Sequence, residues 1–312
     1  MHSFRKLAFV TTVATYFLIY MGGLVRAAGA GLGCPDWPKC FGNWIPPLHV
    51  SQLPPDIDPA HFNFVLAWIE YINRLAGVTV GILIIALLIQ AIRVHRKVPN
   101  ILRTCVAILA LVIFQGWQGG QVVASELQPL LISVHMVLAV FIVSLLIYVT
   151  QTAWYLERPE LDRAPTLPGN GYWLVWLLAG TSAVQITLGT QIRSQLEILT
   201  ELFPLAGVAE LLSKIGLLEN AHMLLGIALM LASIHVGMRI LHEGKQASLL
   251  VRQAAFAMML VIVIQMATGI SLAALDMPAL ARLFHMVLSS LYCGMLVILL
   301  TAYQRQRGYA HE

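Results

Sequence analysis

Eight stretches of this 312-residue chain contain no Asp, Glu, Lys or Arg, and each is 18 to 27 residues long. They are residues 7–25, 75–92, 104–125, 130–156, 171–192, 220–238, 253–275 and 283–304. A helix needs about 20 apolar residues to cross the hydrocarbon core of a bilayer, and it satisfies its backbone hydrogen bonds internally. The sequence therefore predicts an all-α, polytopic membrane protein with eight transmembrane helices.

Composition excludes several other classes of protein. The chain is 59% hydrophobic and only 11% charged, whereas an average soluble domain is roughly 25% charged. A water-soluble fold of this size needs more polar surface, so a soluble enzyme is excluded. The chain contains no basic run and no polar tract, which argues against nucleic-acid binding and against disorder.

The distribution of basic residues predicts how the helices are oriented. Eight spans place both termini on one side, and that side with its connecting segments holds 13 of the 19 Lys and Arg residues. The positive-inside rule assigns this side to the cytoplasm. We therefore expect a protein of the cell (inner) membrane with both termini in the cytoplasm. Two long segments then lie outside: residues 27–62, rich in Pro, Gly and Trp, and residues 194–218, which resemble an amphipathic helix on the membrane surface.

The chain also repeats itself. Four pairs of short motifs occur in both halves: Glu70-x-x-Asn73 with Glu219-x-x-His222, Gln115-x-x-x-Gly119 with Gln265-x-x-x-Gly269, His135 with His285, and Val25-Arg26 with Ile192-Arg193. The first three pairs are 149 or 150 residues apart, and the fourth is 167 apart because the outer loops differ in length. The repeat predicts two pseudo-symmetric four-helix bundles, residues 1–156 and 157–312.

Three of the ten histidines share one predicted depth. His135, His222 and His285 lie in the first two turns of spans that enter the membrane from outside, with Asn73 in the corresponding place of the second span. At about 1.5 Å per residue, all four lie just below the outer surface. Ionisable residues within spans usually face the bundle interior, and neutral imidazoles are common axial ligands of heme iron. We therefore predict that His222 and His285 ligate a heme; the alternative is interhelical hydrogen bonding.

The first half has a different set of candidate residues. There His135 faces Asn73, and an amide is a poor iron ligand, so the iron would be five-coordinate, water-ligated or completed by a loop residue such as His61. Glu70 lies one turn before Asn73 on the same helix face and could serve in proton transfer. Alternatively, Glu70 only pairs with Arg74, four residues further along the helix.

Two arginines and two cysteines lie at the predicted outer face. Arg26 and Arg193 follow odd-numbered spans, and a guanidinium there suits a carboxylate such as a heme propionate. The alternative for each is a side chain that snorkels to the membrane interface. Cys34 and Cys40 lie in the first outer segment, where a disulfide is permitted. A structural bridge is the simpler interpretation, and a redox-active pair is the alternative.

Taken together, these motifs make the sequence similar to those of the heme A synthases. The residues that carry the resemblance are Gly22-Gly23-Leu24-Val25-Arg26, Gly29-Ala30-Gly31-Leu32-Gly33-Cys34-Pro35-Asp36-Trp37-Pro38-Lys39-Cys40, Glu70-Tyr71-Ile72-Asn73-Arg74-Leu75-Ala76-Gly77, His135, His222 and His285. The resemblance covers essentially the whole chain. It implies an oxidoreductase that converts heme O into heme A, by oxidising a ring methyl group to a formyl group, for terminal cytochrome oxidases.

The resemblance also implies roles for individual residues. His222 and His285 look like the ligands of a heme b cofactor, His135 looks like a ligand of the substrate heme, and Glu70 looks like its acidic catalytic residue. Cys34 and Cys40 match the family's outer-loop pair, which is proposed to form a disulfide. Further cofactor contacts are expected from Arg26, Arg74, Arg193 and Asn73. The implied partners are heme O synthase, cytochrome oxidase assembly, membrane lipid and an electron donor that the sequence does not identify.

Two departures from the family pattern bear on the first half. Many members have Glu-x-x-His-Arg where this chain has Glu70-x-x-Asn73-Arg74, and some carry a second outer cysteine pair that this chain lacks. The asparagine could leave a position open for an oxidant, mark a substituted ligand, or mark lost activity. The alternative function is a quinol-linked membrane cytochrome b that moves electrons without modifying heme. That function explains His222 and His285 but leaves Glu70 without a role.

Overall fold

The computed structural model describes residues 2–309 except residues 56, 159–166, 170 and 245–246. The described residues form nine α-helices and no β-strand: α1 (His2–Ala27), α2 (Phe64–Val94), α3 (Pro99–Ala124), α4 (Pro129–Glu157), α5 (Gly171–Leu202), α6 (Val208–Ile215), α7 (Leu217–Glu243), α8 (Leu249–Ala274) and α9 (Ala279–Tyr309). All but α6 are long and apolar enough to cross a membrane. The predicted all-α fold with eight spans is confirmed, and the chain is a multi-pass membrane protein.

Local sequence signals mark where several helices begin. The side chain of Asn63 caps α2 by accepting a hydrogen bond from the backbone N–H of Leu66 at 3.1 Å, and Ser248 caps α8 in the same way. Such caps satisfy backbone donors that the first helical turn leaves without partners. Gly216 has a φ of +65°, a conformation that glycine adopts readily, and this residue allows the sharp turn from α6 into α7.

The surface of the spans is apolar where a soluble protein would be polar. Ile82, Ile113, Leu177 and Ile270 lie on four different spans, and each is more than 60% exposed. Because these side chains lie within apolar helices long enough to cross a bilayer, lipid is the solvent that suits them.

The packing of the chain separates it into two compact units, residues 1–9 with 143–312 and residues 10–142. In the first unit, α5, α7, α8 and α9 surround a core that includes Val175, Leu229, Met258 and Leu296. In the second unit, α2 packs along α3. The predicted halves of residues 1–156 and 157–312, and their pseudo-symmetry, stay predictions, and residues 159–163 of the predicted connection between them lie outside the described residues.

The two predicted outer segments have different structures. Residues 28–63 form two short 3-10 turns, Val50–Gln52 and Pro59–His61, and contain the Cys34–Cys40 disulfide. The second segment, predicted as an amphipathic helix over 194–218, is divided between the last turns of α5 and the short α6. Apolar side chains of α6, Leu211 and Leu212, pack against the end of α5, which buries the apolar face of α6 against protein.

Candidate functional site

Each of the three predicted ligand histidines packs against a glycine on a neighbouring span. A Cβ atom added to the glycine would lie 3.1–3.3 Å from the ring atom Cε1 in all three pairs: Gly119 with His135, Gly189 with His222, and Gly269 with His285. These distances are shorter than ordinary van der Waals contact. A side chain at these positions would require the imidazole to move by a few tenths of an ångström, so glycine allows the closest approach of the ring.

A glutamine one turn before each glycine holds the same histidine by its backbone. Gln115 Nε2 donates to the carbonyl oxygen of His135 at 3.0 Å, and Gln185 Nε2 donates to that of His222 at 2.8 Å. Gln265 Nε2 reaches His285 indirectly, because it donates to Ser289 Oγ at 2.7 Å, which donates to the His285 carbonyl at 2.8 Å. Each Gln-x-x-x-Gly motif therefore ties two spans together at the level of a histidine.

The sequence analysis missed one of these motifs, Gln185-x-x-x-Gly189 in α5. The internal repeat did not reveal it, because the offset of 167 residues that relates α5 to α1 places Leu18 and Gly22 opposite Gln185 and Gly189, so α1 has no equivalent glutamine. A search for Gln-x-x-x-Gly in every span would have found it.

His222 and His285 lie in the second turns of α7 and α9, within the same unit, and the two rings interact electrostatically. A cavity of about 40 Å3 begins roughly one turn deeper in this unit, lined by Gln185, Gln265 and Tyr292 among others. Among the described residues, no group of three or more His, Cys, Asp and Glu side chains could hold a metal ion. A heme iron needs only axial ligands from the protein, and two imidazoles set against glycine-bearing helices fit that requirement.

One end of this unit carries a second arginine that the sequence pattern alone did not single out. Arg193 pairs with Glu197 through a 2.7 Å contact between Nε and Oε1, and Arg282, one turn before His285, interacts electrostatically with both residues. Two guanidinium groups thus lie close to each other on α5 and α9, the helices that carry Gly189 and His285. The sequence signal that would have identified Arg282 is a basic residue one turn before a predicted ligand histidine.

The second unit contains His135 and Asn73. Asn73 faces Gly22 of α1 more loosely than the histidines face their glycines, because a Cβ atom on Gly22 would lie 3.9 Å from Asn73 Oδ1, an ordinary van der Waals distance. That oxygen is buried and accepts no hydrogen bond from any described residue. His135 Nδ1 lies 2.6 Å from Gln118 Oε1, so the imidazole is oriented by an amide side chain.

Glu70 and Arg74 hold the disulfide-bonded loop against α2. Arg74 donates hydrogen bonds to the carbonyl oxygens of Asp36 at 2.7 Å, Lys39 at 2.6 Å and Cys34 at 3.3 Å. The guanidinium also pairs with Glu70 Oε1, and Glu70 Oε2 accepts the backbone N–H of Cys34 at 2.9 Å. Glu70 is only 4% exposed. The pair expected from the i, i+4 spacing is therefore present, and both partners also bind the loop.

The loop and α2 are in close contact beside this pair. A Cβ atom on Gly33 would lie 2.4 Å from the backbone oxygen of Leu66, so only glycine permits the approach. Cys34, Cys40, Phe41 and Ala67 form a small buried cluster at this contact. The disulfide thus belongs to a fixed structure packed on the helix that carries Glu70 and Asn73.

The chain is similar in sequence to one family of known proteins. The family described as cytochrome oxidase assembly protein (COX15-CtaA) matches residues 5–297. A heme A synthase of Shouchella clausii is 25% identical over 97% of this chain and 98% of that protein. A heme A synthase of Shewanella oneidensis is 32% identical over 44% of this chain and 42% of that protein, and one of Bartonella henselae is 29% identical over 52% and 51%.

Proposed function

Because the chain belongs to the COX15-CtaA family of cytochrome oxidase assembly proteins, we propose that it is a heme A synthase. The reaction converts heme O into heme A by oxidising one ring methyl group to a formyl group. The observation that carries the proposal is the match over nearly the whole chain, both to the family and to a heme A synthase that is itself matched over 98% of its length. The glycine-packed histidines in both units support it, because heme is the group that their chemistry suits.

The first unit is proposed to hold a resident heme b, whose iron His222 and His285 would bind. Arg193 and Arg282 would bind the propionates, since both guanidinium groups lie at one end of this unit and a guanidinium pairs well with a carboxylate. Heme b would supply electron relay when bound. The protein contributes rigid placement of both imidazoles, through Gly189 and Gly269 on one side of each ring.

The second unit is proposed to bind heme O as substrate, with His135 as its single protein ligand. Asn73 is proposed to act as a hydrogen-bond acceptor, because its buried Oδ1 has a free lone pair among the described residues. Glu70 is proposed to move protons at its carboxylate. Arg74 would neutralise Glu70 and hold the disulfide loop over α2, and Arg26, in the last turn of α1, would contact a propionate.

We also propose which proteins supply the substrate and use the product, and in which membrane the enzyme lies. A heme O synthase would supply the substrate, and cytochrome oxidase assembly would consume the product. The excess of Lys and Arg on one side of the spans supports a cell membrane location with both termini in the cytoplasm.

Heme extraction from cells that also produce heme O tests the function directly. We expect chromatography of the acid–acetone extract to show heme A only when this protein and a heme O source are produced together. The control is the same strain with the gene absent. An extract that contains heme O and heme b but no heme A would overturn the proposal and favour an electron-transferring cytochrome b.

Gly189→Ala is expected to reduce retention of the low-spin heme. The added methyl group would lie 3.1 Å from Cε1 of His222 and would push the ring away from its position. The matched control is Gly180→Ala in the same helix, where an added Cβ meets nothing within 4 Å. The measurement is heme per protein after purification; equal retention in both variants would contradict the packing argument.

Asn73→His is expected to convert a high-spin substrate heme to a low-spin form. An imidazole at this position would restore the Glu-x-x-His-Arg pattern and supply a second strong ligand opposite His135. The measurement is the absorption spectrum of protein loaded with heme O. An unchanged spectrum would show that residue 73 does not face the iron.

A further inference from the structure

The residue directly before each histidine-facing glycine differs among the three sites, and at two of them it contacts the Nδ1 atom of the histidine. The three residues are Gln118 before Gly119, Leu188 before Gly189, and Thr268 before Gly269. An amide, an alkyl group and a hydroxyl differ in their ability to accept a hydrogen bond. The three imidazoles therefore differ in the hydrogen-bond acceptor that the neighbouring residue offers.

Gln118 determines which nitrogen of His135 carries the hydrogen. Gln118 Nε2 donates to the backbone oxygen of Leu131 at 2.6 Å, and this bond fixes the orientation of the amide. The other end, Oε1, lies 2.6 Å from His135 Nδ1 and can only accept. His135 Nδ1 is therefore protonated, and the lone pair is left on Nε2, where a metal binds.

Thr268 acts on His285 in the same way. Its hydroxyl has one hydrogen, which is donated to the backbone oxygen of Gln265 at 2.9 Å. The hydroxyl oxygen, 3.1 Å from His285 Nδ1, must then accept from that nitrogen. The ring is near the Gln265 carbonyl as well, and a carbonyl can also only accept. Both neighbours leave the Nε2 lone pair of His285 available.

His222 lacks this support. Its Nδ1 is buried and makes no well-formed hydrogen bond to any described group, with only the Gln185 backbone carbonyl close to the ring. Leu188 precedes Gly189 as Thr268 precedes Gly269, and its alkyl side chain offers no hydrogen-bond acceptor. A hydrogen bond from the far nitrogen raises the basicity of a metal-bound imidazole, so His222 is the weaker donor of the two.

We propose that Gln118 and Thr268 are positioning residues, which fix the tautomers of His135 and His285 and strengthen these histidines as iron ligands. Leu188, in contrast, leaves His222 the weaker ligand of heme b. The inference rests on the heme ligation in the proposed function but not on oxidation of the methyl group. A stronger imidazole donor stabilises ferric iron, so the residue before the glycine sets the reduction potential of the heme.

A reciprocal exchange in the first unit tests the proposal. Thr268→Val keeps the shape and removes the acceptor, and we expect the midpoint potential of the bound heme b to rise. Leu188→Thr adds the acceptor beside His222, and we expect the potential to fall. The measurement is a spectroelectrochemical titration of the purified holoprotein, and the low-spin spectrum shows that the variants are folded and ligated.

The control is Thr187→Val, which removes a hydroxyl bonded only to the Ala183 backbone oxygen and should leave the potential unchanged. Shifts of opposite sign in Thr268→Val and Leu188→Thr support the proposal. Unchanged potentials, or shifts of the same sign, overturn it. A wild-type protein that binds heme b but makes no heme A would refute the proposed function alone, because the potentials would still be measured.

Gln118 is tested by titrating heme O into detergent-solubilised protein. We expect Gln118→Met to weaken binding about 10–100-fold, the usual effect of losing an outer-shell partner. Gln118→Glu keeps an acceptor for His135 Nδ1 and should restore most of the affinity. If the affinity of Gln118→Met equals that of wild type, or if Gln118→Glu binds as weakly as Gln118→Met, Gln118 does not position the ring.

Discussion

Replacing either His222 or His285 by alanine is expected to abolish the low-spin heme spectrum of the purified protein. Each substitution removes one of the two proposed heme ligands and leaves a gap beside Gly189 or Gly269. The measurement is the reduced-minus-oxidised absorption spectrum, together with heme content per protein. We expect the low-spin signal to be lost entirely.

His235→Ala provides the matched control for this prediction. His235 lies on the same helix as His222, but thirteen residues further along the chain, which corresponds to about 20 Å at the helical rise. Its side chain is exposed. This variant should keep the full heme spectrum; full retention of the spectrum in His222→Ala and His285→Ala would remove the assignment of the ligands.

Glu70→Gln is expected to lower heme A production by at least about 100-fold, the lower end of what a positioned acid or base contributes. Bound heme should be retained, because His135, His222 and His285 are untouched. The glutamine oxygen can still accept the backbone N–H of Cys34, and Arg74 keeps its three carbonyl partners in the loop. The measurement is heme A yield per protein in cells supplied with heme O.

Arg74→Met separates the chemical role of Glu70 from its contact with the loop. Removing the guanidinium leaves a buried carboxylate without its charged partner, which typically costs about 3–5 kcal/mol, and it releases three loop carbonyls. We expect the Cys34–Cys40 disulfide of this variant to become more accessible to reductant and thiol alkylation, whereas that of Glu70→Gln stays protected.

Arg239→Met breaks another Arg–Glu pair of the same spacing, with Glu243, and serves as the control that leaves the loop unaffected. Normal heme A yield in Glu70→Gln would contradict a catalytic role for Glu70. If the disulfide of Glu70→Gln also becomes accessible to reductant, the loss of activity in this variant results from disruption of the loop and not from the loss of a catalytic carboxylate.

Much of the fold was predictable because the bilayer imposes a local rule on the chain. A charge-free run of about 20 residues can be recognised without knowing what it packs against, and all eight such runs are spans. The second outer segment was predicted less well. Its alternating apolar and acidic residues indicated an amphipathic helix, but α5 extends to Leu202 and only the eight residues of α6 form a separate helix.

Part of the candidate site could also be predicted from residue order along single helices. The depth of His135, His222 and His285 follows from counting residues along each span. The contacts of Arg74 did not follow, because it binds backbone oxygens 35 to 40 residues away in sequence, and side-chain spacing carries no information about such partners.

The sequence by itself determined the number of spans and the family to which the chain belongs, since each depends on residue order along one helix or on short motifs. The tertiary structure alone decided which glycine each imidazole packs against, which nitrogen carries its hydrogen, and where Glu70 and Arg74 bind the loop. Those features depend on how each helix is rotated about its axis and on which neighbour it meets. Hydrophobic length does not specify either, because lipid accepts every apolar face equally.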